Sequence, residues 1–408
     1  MSAVVDVVIA GAGPAGCATA LACGRRGLEV LVLDRARFPR DKACGEGLLP
    51  AGVGALAELG LLAEARRGAQ RIDGLGFTID DDHGPHAESL FPDDGVHPTF
   101  GLGVRRLRFD ALLVDAVHAQ PTATILEGVA ARDLLWRDGG VVGLDTDVGP
   151  IHARAVVVAD GLRSRLRERL GVARGGRRRA AGQERIGLRA HLAVAALPFG
   201  PAVRILIGRR LEHYVTPVGG GELQVAVLGS RQAFADDGLA AATFFDRLRA
   251  HPRLGPLLDG ATPLDRPLGA GPFRQPVDRV VTNGALLVGD ASGYIDAITG
   301  EGIGAALRHG LAAGDTLAAA LAAAGRKRSA PLPASALEPY ARAHRAIGRD
   351  ADRLTELVLF LARHPRLARR AVASLARRPT LLQRLLRVQA GAPLSSVPLR
   401  DWALLVAG

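Results

Sequence analysis

The stretch from Asp6 to Asp34 constrains the fold most: it reads as strand, glycine turn, helix and second strand, and it ends on a carboxylate. Val7, Val8, Ile9 and Ala10 make the short apolar run that a strand buried on both faces needs. Gly11-Ala12-Gly13-Pro14-Ala15-Gly16 follows at once, at the carboxyl end of that strand. In such a turn Gly11 permits the tight reversal, Gly13 lets a pyrophosphate approach the backbone where Pro14 and Ala15 open the helix, and Gly16 lets the helix pack on its strand. Amides at the start of the helix Pro14 to Arg26 then face the phosphates, and the helix dipole adds about 0.3 to 1 kcal/mol. Gly27 stops the helix. The strand Glu29 to Leu33 delivers Asp34, roughly 20 residues past the glycines, where a carboxylate accepts from a ribose hydroxyl. A glycine turn alone is weak evidence, but strand, helix, second strand and acid in this order predict a dinucleotide site.

With 408 residues, 48 % of them hydrophobic, the chain can bury a large core divided into two or three structural units. The longest apolar candidate for a membrane span, Gly310 to Ala324, is interrupted by Asp315 and follows Arg308 and His309, so no span is expected. Asp6 within the first strand, with no basic leader before it, reads as no signal peptide. Three cysteines are too few for a disulfide framework, and Cys17 and Cys23 fall on different faces of one helix, which fits a reducing cytoplasm. The net charge of +11 does not indicate nucleic acid, because the arginines are dispersed and aromatic residues, 4 % in all, offer little surface for base stacking. Peripheral contact with anionic lipid is the better use of that charge. The histidines show no HExxH and no Cys/His spacing, so no metal is expected.

Further along, Pro39-Arg40-Asp41-Lys42-Ala43-Cys44-Gly45-Glu46-Gly47 forms a charged, glycine-rich loop, and a helix carrying Leu56, Leu59, Leu61 and Leu62 follows. Arg105-Arg106-Leu107-Arg108-Phe109-Asp110 leads into a helix to about Ala119. Ala155 to Asp160 is a second buried strand tipped by an acid, Asp160-Gly161, before a basic helix, Arg163 to Leu170. Leu188 to Val194, Val203 to Ile207, His213 to Pro217 and Leu223 to Leu228 switch to the period of an antiparallel sheet, the expected platform for a substrate. Gly284 to Asp290 is a third buried strand ending on an acid, and Gly300-Glu301-Gly302-Ile303 opens an alanine-rich helix to about Ala324. Helices fill the remainder, with arginine-rich segments broken by Pro365 and Pro379. Their single apolar stripe reads as packing on the body, with membrane-surface contact as the alternative.

These motifs, in this order over roughly residues 4 to 325, resemble the superfamily of geranylgeranyl reductases and FAD-dependent monooxygenases, which share a glutathione-reductase-like FAD fold. The resemblance implies FAD, held by Gly11 to Gly16, by Asp34 with Arg35 beside it, by Arg106 and Asp160, and by Gly289 and Asp290 at the ribityl chain. Arg105 offers the same chemistry as Arg106 one register away. The Cys44 loop and the run Gly300 to Ile303 look most like the geranylgeranyl-reductase branch. Two departures stand out. Ala297 occupies a position where that branch usually has proline, and Tyr214-Val215-Thr216-Pro217 replaces an aromatic-rich strand, which points to a substrate other than a long prenyl chain.

Flavin supplies the electron chemistry, so the chain must hold the ring, admit a reductant and position a substrate. The helix start at Gly302 is a partial positive charge that favours an anionic reduced ring. The resemblance places Cys44 near the flavin, against the plain reading of a small buried residue. Lys42 and Glu46 flank it as candidate proton donors, against solvated loop charges. Asp290 and Asp160 read equally as helix caps, and Tyr214 as a substrate contact or as packing. Gly269-Ala270-Gly271-Pro272-Phe273 lacks a following helix, so NAD(P)H, as reductant, would visit the flavin without a Rossmann domain of its own.

The expected fold is α/β: a Rossmann-type FAD-binding domain in three parts (1–70, 101–185, 276–325), a substrate sheet (71–100 and 186–275) and C-terminal helices (326–408). The expected activity is FAD-dependent reduction of a carbon-carbon double bond in a small apolar molecule, isoprenoid-like or polyketide-like. The alternatives are a monooxygenase and a non-catalytic flavin-binding or membrane-associated protein. A halogenase is disfavoured because Lys42 and Lys327, the only lysines, do not match that family's pattern.

Overall fold

The computed structural model describes residues 4–93, 95, 98–174, 182–325 and 330–407, so Lys327 lies outside the described residues. The chain opens with β1 (Val5–Ala10), α1 (Pro14–Gly24) and β2 (Val30–Asp34). Then come α2 (Pro50–Glu58), β3 (Gly74–Ile79), β4 (His86–Leu90), α3 (Arg106–His118) and β5 (Ala123–Glu127). Three further strands follow: β6 (Ala131–Arg137), β7 (Gly140–Thr146) and β8 (Gly149–Val158).

Parallel pairing joins β1 to β2 and β8, and β2 to β5. Val7, Val8 and Ile9 are fully enclosed, as a strand covered on both faces must be. Later in the chain β9 (Arg185–Ala193), β10 (Ala202–Ile207), β11 (Leu211–Gly219) and β12 (Glu222–Ser230) build a second sheet, while β13 (Ala285–Leu287) returns to the first beside β8. Ala10 stands opposite Leu33 and Val158, and Val158 opposite Leu287. The glycine turn, Asp34, Ala159 and Gly289 therefore leave the sheet along one edge, where parallel α/β sheets bind ligands.

The second sheet runs β9-β12-β11-β10-β3-β4. It is not antiparallel throughout, as the sequence pattern suggested: β10 pairs in parallel with β3, which arrives from a distant segment and not through a hairpin. The sequence reading also passed over β6, whose alternation is masked by charges on both faces, Arg132 and Asp133 at adjacent positions and Arg137 at its end.

Two helix starts meet at the functional edge because of glycines in α4 (Gly302–Ala323). A Cβ on Gly310 would sit 2.5 Å from the Ala18 Cβ, and one on Gly314 2.3 Å from the Ala22 Cβ. Contacts advance in the same direction along α1 and α4, so both amino ends point the same way. The chain closes with α5 (Ala334–Ala362), α6 (Pro365–Arg377), α7 (Pro379–Ala390) and α8 (Leu399–Ala407). Val372, Leu375, Leu382 and Leu386 pack in one core with Leu75 and Ile205 of the second sheet. Among the described residues no helix is long and apolar enough to cross a membrane.

Candidate active site

One cavity, about 2380 Å³ with the open solvent at its mouth included, runs from the glycine turn into the space between the second sheet and the C-terminal helices. Gly13, Pro14 and Ala15 line its polar end together with Gly161, Gly289, Asp290, Gly300, Gly302 and Ile303. Positions for a Cβ on Gly45, Gly47 and Gly300 are empty to 4 Å, and on Gly13 the nearest atom is Arg40 Nη2 at 3.7 Å, so these glycines form an open cradle. Neither α1 nor α4 has a side-chain cap or an acid in its first turn. Unmet helix amides on both sides of a glycine-lined cleft suit a large anionic ligand such as FAD.

The other glycines serve packing. A Cβ on Gly11 would meet the Ala159 carbonyl oxygen at 2.3 Å, and one on Gly16 the Gly11 carbonyl oxygen at 1.8 Å. Asp34 lies beyond the cavity lining: its carboxylate accepts the amides of Ala12 at 2.9 Å and Ala36 at 2.8 Å, tying β2 to the turn. Arg35 is exposed. The Asp160 carboxylate accepts the Leu166 amide at 3.4 Å near a helix start whose cap is Ser164, whereas Ala159 and Gly161 line the cavity.

The two adjacent arginines divide. Arg106 lines the cavity and makes a bidentate pair with Asp110, both bonds at 2.7 Å, whereas Arg105 reaches Glu222 and Asp265, each at 3.1 Å. Lys42 lines the same end; burial and the nearby Arg106 and Arg40 hold its ammonium below the ordinary lysine value, against the pull of Asp290 and Asp110. Cys44 also faces the cavity, half-buried, with the Glu46 amide donating to its sulfur at 3.4 Å.

Glu46 differs from the free loop acid expected from sequence. It is fully buried, its Oε1 accepts the Arg106 amide at 2.8 Å, and its Oε2 lies 2.6 Å from His191 Nε2. His191 Nδ1 faces Asp265 at 2.6 Å. An imidazole between two carboxylates carries both protons. Burial opposes that charge, but the bonds to Glu46 and Asp265 prevail and raise its pKa. Arg189, almost wholly enclosed, joins Asp265 to Asp41 and to the Lys42 carbonyl. This network fastens the Cys44 loop to the second sheet. Arg189 and His191, alternating along an apolar strand, were the sequence signal for it.

Tyr214 lines the cavity with its ring and donates its hydroxyl to the Ile298 carbonyl at 2.8 Å. Asp296, held by Arg185 at 2.8 Å, accepts the Ile298 amide at 3.2 Å. These bonds shape the loop at Ala297, the position where the geranylgeranyl-reductase branch usually has proline. Beyond it the walls turn apolar, with Phe77, Ile205 and Leu228 on the sheet side and Leu357, Val372 and Leu386 on the helical side. Sequence reasoning left out Tyr294, whose raised phenol lines the cavity beside Gly302, and the C-terminal helices as a wall. An apolar stripe shows that a face is buried without showing what it faces.

A family model described as FAD binding domain matches residues 4–331. The chain is 32 % identical over 339 residues to a menaquinone reductase of Mycobacterium tuberculosis, covering 76 % of each chain. It is 32 % identical over 336 residues to digeranylgeranylglycerophospholipid reductase 1 of Methanopyrus kandleri, covering 78 % of this chain and 81 % of that one. A solved flavoprotein/dehydrogenase from Cytophaga hutchinsonii has the same fold, with a TM-score of 0.80 and 20 % identity over 95 % of this chain and 93 % of that one.

Proposed function

The chain belongs to the FAD-binding-domain family of FAD-dependent oxidoreductases, and from that premise we propose that it reduces a carbon-carbon double bond in a long, apolar, isoprenoid-like substrate. The observation that carries the reading is the continuity of the cavity, from two uncapped helix starts to a tunnel walled by leucines of α5, α6 and α7. Relatives named for menaquinone and for a digeranylgeranyl lipid support it, since both molecules bear isoprenoid chains. The tunnel also offsets the missing aromatic strand that pointed away from a long chain, because the C-terminal helices supply apolar wall in its place.

Bound FAD would supply the hydride chemistry. Gly13 and the α1 amides would hold its pyrophosphate, Asp290 and Gly289 its ribityl chain, and the α4 start its ring. Lys42 and Arg106 add positive charge where an anionic cofactor needs it. The Glu46-His191-Asp265 network keeps Cys44 at the cavity wall, Tyr214 fixes the loop through Ile298, and the apolar walls exclude water. NAD(P)H is the proposed reductant. Peripheral contact of the arginine-rich helices with a lipid surface would place the tunnel where such substrates reside.

The test is to load the protein with FAD, reduce it anaerobically with NADPH and add a polyprenyl lipid or menaquinone. Reoxidation of the flavin by the lipid without oxygen supports the proposal. Reoxidation only on admitting oxygen, with substrate-stimulated oxygen uptake, assigns a monooxygenase instead.

A further inference from the structure

A second cavity lies behind the loop 289–302, which is the wall between it and the first. Gly300 and Gly302 line the first cavity, but Glu301 between them lines only the second. The second space is more polar than the first. Arg308, His309, His344 and Asp352 line it, and Arg174 and Arg274, with side chains 61 % and 45 % exposed, form its solvent side.

Buried polar atoms without a hydrogen-bond partner concentrate here. Among the described residues they include Glu301 Oε1, both ring nitrogens of His309 and Gln389 Oε1, all belonging to residues that line this cavity. His309 is only 6 % exposed. So many unmet groups around one polar space are satisfied in proteins by ordered water. Close by, Ser292 Oγ donates to the Gly289 carbonyl at 2.7 Å, so in the 2.8 Å contact between His344 Nε2 and Ser292 Oγ the imidazole donates. A chain of donors thus already runs from the second cavity to the strand tip that borders the first.

We propose that the second cavity is a water-filled proton port in which Glu301 takes protons from solvent and passes them, through the Tyr294 hydroxyl, to the cavity where reduction occurs. Tyr294 lines both spaces, and its hydroxyl lies 3.5 Å from where a Cβ on Gly302 would stand. The inference rests on the proposed reduction for its purpose. Saturating a double bond consumes one hydride, from flavin reduced by NAD(P)H, and one proton, and a tunnel closed around an apolar chain admits no water to provide that proton. In each transfer an O–H bond of Glu301 breaks as one forms on water; water then protonates Tyr294 as the phenol gives its proton to the substrate carbon. Glu301 recovers its proton from bulk water at the Arg174–Arg274 side, with no change of oxidation state. Burial raises the Glu301 pKa to about 8, with Asp352 adding to the rise and Arg308 opposing it. Burial also keeps His309 and His344 neutral. Asp290 and Asp296 face the Tyr294 phenol from the loop and, after burial, help hold it protonated.

Infrared spectroscopy of the FAD-loaded protein across pH 6 to 10 tests this directly. The wild type should show a protonated carboxyl band that titrates near pH 8 and is missing in Glu301→Gln. Single-turnover reduction by Glu301→Gln and by Tyr294→Phe should fall about a hundredfold, with the alkaline limb of the pH profile lost in Glu301→Gln and restored in Glu301→Asp. The proposal is overturned if the band is absent or survives in Glu301→Gln, or if turnover falls with the pH profile unchanged. A titrating band in a protein that reduces no double bond would uphold the proton port and reject the proposed reaction.

Discussion

Glu46 and His191 meet at 2.6 Å with both side chains fully enclosed, carboxylate Oε2 against imidazole Nε2. Glu46 holds this position with a φ of 57°, in the left-handed region that costs a side-chain-bearing residue roughly 1 to 2 kcal/mol. The charged bond to His191 and the amide of Arg106 offset that cost. The conformation carries the chain from Cys44 at the cavity wall to Leu48 in the core.

This pair sets a pH dependence. The folded-state pKa of His191 is raised above its unfolded value near 6.5. Its contribution to stability is therefore complete below about pH 6.5 and is lost as pH rises through the folded-state value. Denaturant midpoints measured from pH 6 to 9 should decline for the wild type and decline less for His191→Gln. Removing one partner of a buried pair should cost roughly 3 to 5 kcal/mol at pH 6. A cost that does not diminish as pH rises would contradict the charged state of His191.

The glycines of the turn should separate folding from cofactor binding. Gly16→Ala places a methyl group 1.8 Å from the Gly11 carbonyl oxygen and should prevent a stable fold. Gly13→Ala meets only Arg40 Nη2 at 3.7 Å, so the protein should fold with a wild-type melting temperature and bind FAD at least tenfold more weakly. Thermal melts and FAD titration of the two variants check the contrast.

Tyr214→Phe should leave the Ile298 carbonyl without its donor at 2.8 Å and destabilise the protein by about 1 to 3 kcal/mol. Because the ring stays in place, FAD affinity should change little. Chemical denaturation and flavin titration distinguish these effects.

Ala371 in α6 lines the tunnel and is 3 % exposed. Ala371→Trp should fill the apolar half, raising the KM for long-chain lipids about tenfold or more while leaving that for a short prenyl analogue nearly unchanged. Equal losses for both lengths would argue against the tunnel as the chain-binding site.

What could be read from sequence was mostly local. The strand, turn, helix and acid between Asp6 and Asp34 are contiguous, and the inserted strands betray themselves by period 2. Glu46, His191 and Asp265 come together from three distant segments, which no local pattern encodes. Arg105 and Arg106 look alike in sequence, and only the direction of the first turn of α3 decides which one faces the cavity. Glu301 was hidden in a motif read for its glycines. Gly310 and Gly314, four apart in an alanine-rich helix, were an unused signal that another helix packs there closely.

Reduction of an apolar chain by enzyme-bound flavin leaves an isotopic signature in the product. The most direct measurement is mass spectrometry of a polyprenyl substrate after anaerobic turnover in heavy water with NADPH. Reduction should give a product with two added hydrogens, at least one of them deuterium from solvent, formed without oxygen. A product that appears only in air and carries an atom from labelled oxygen gas would contradict it.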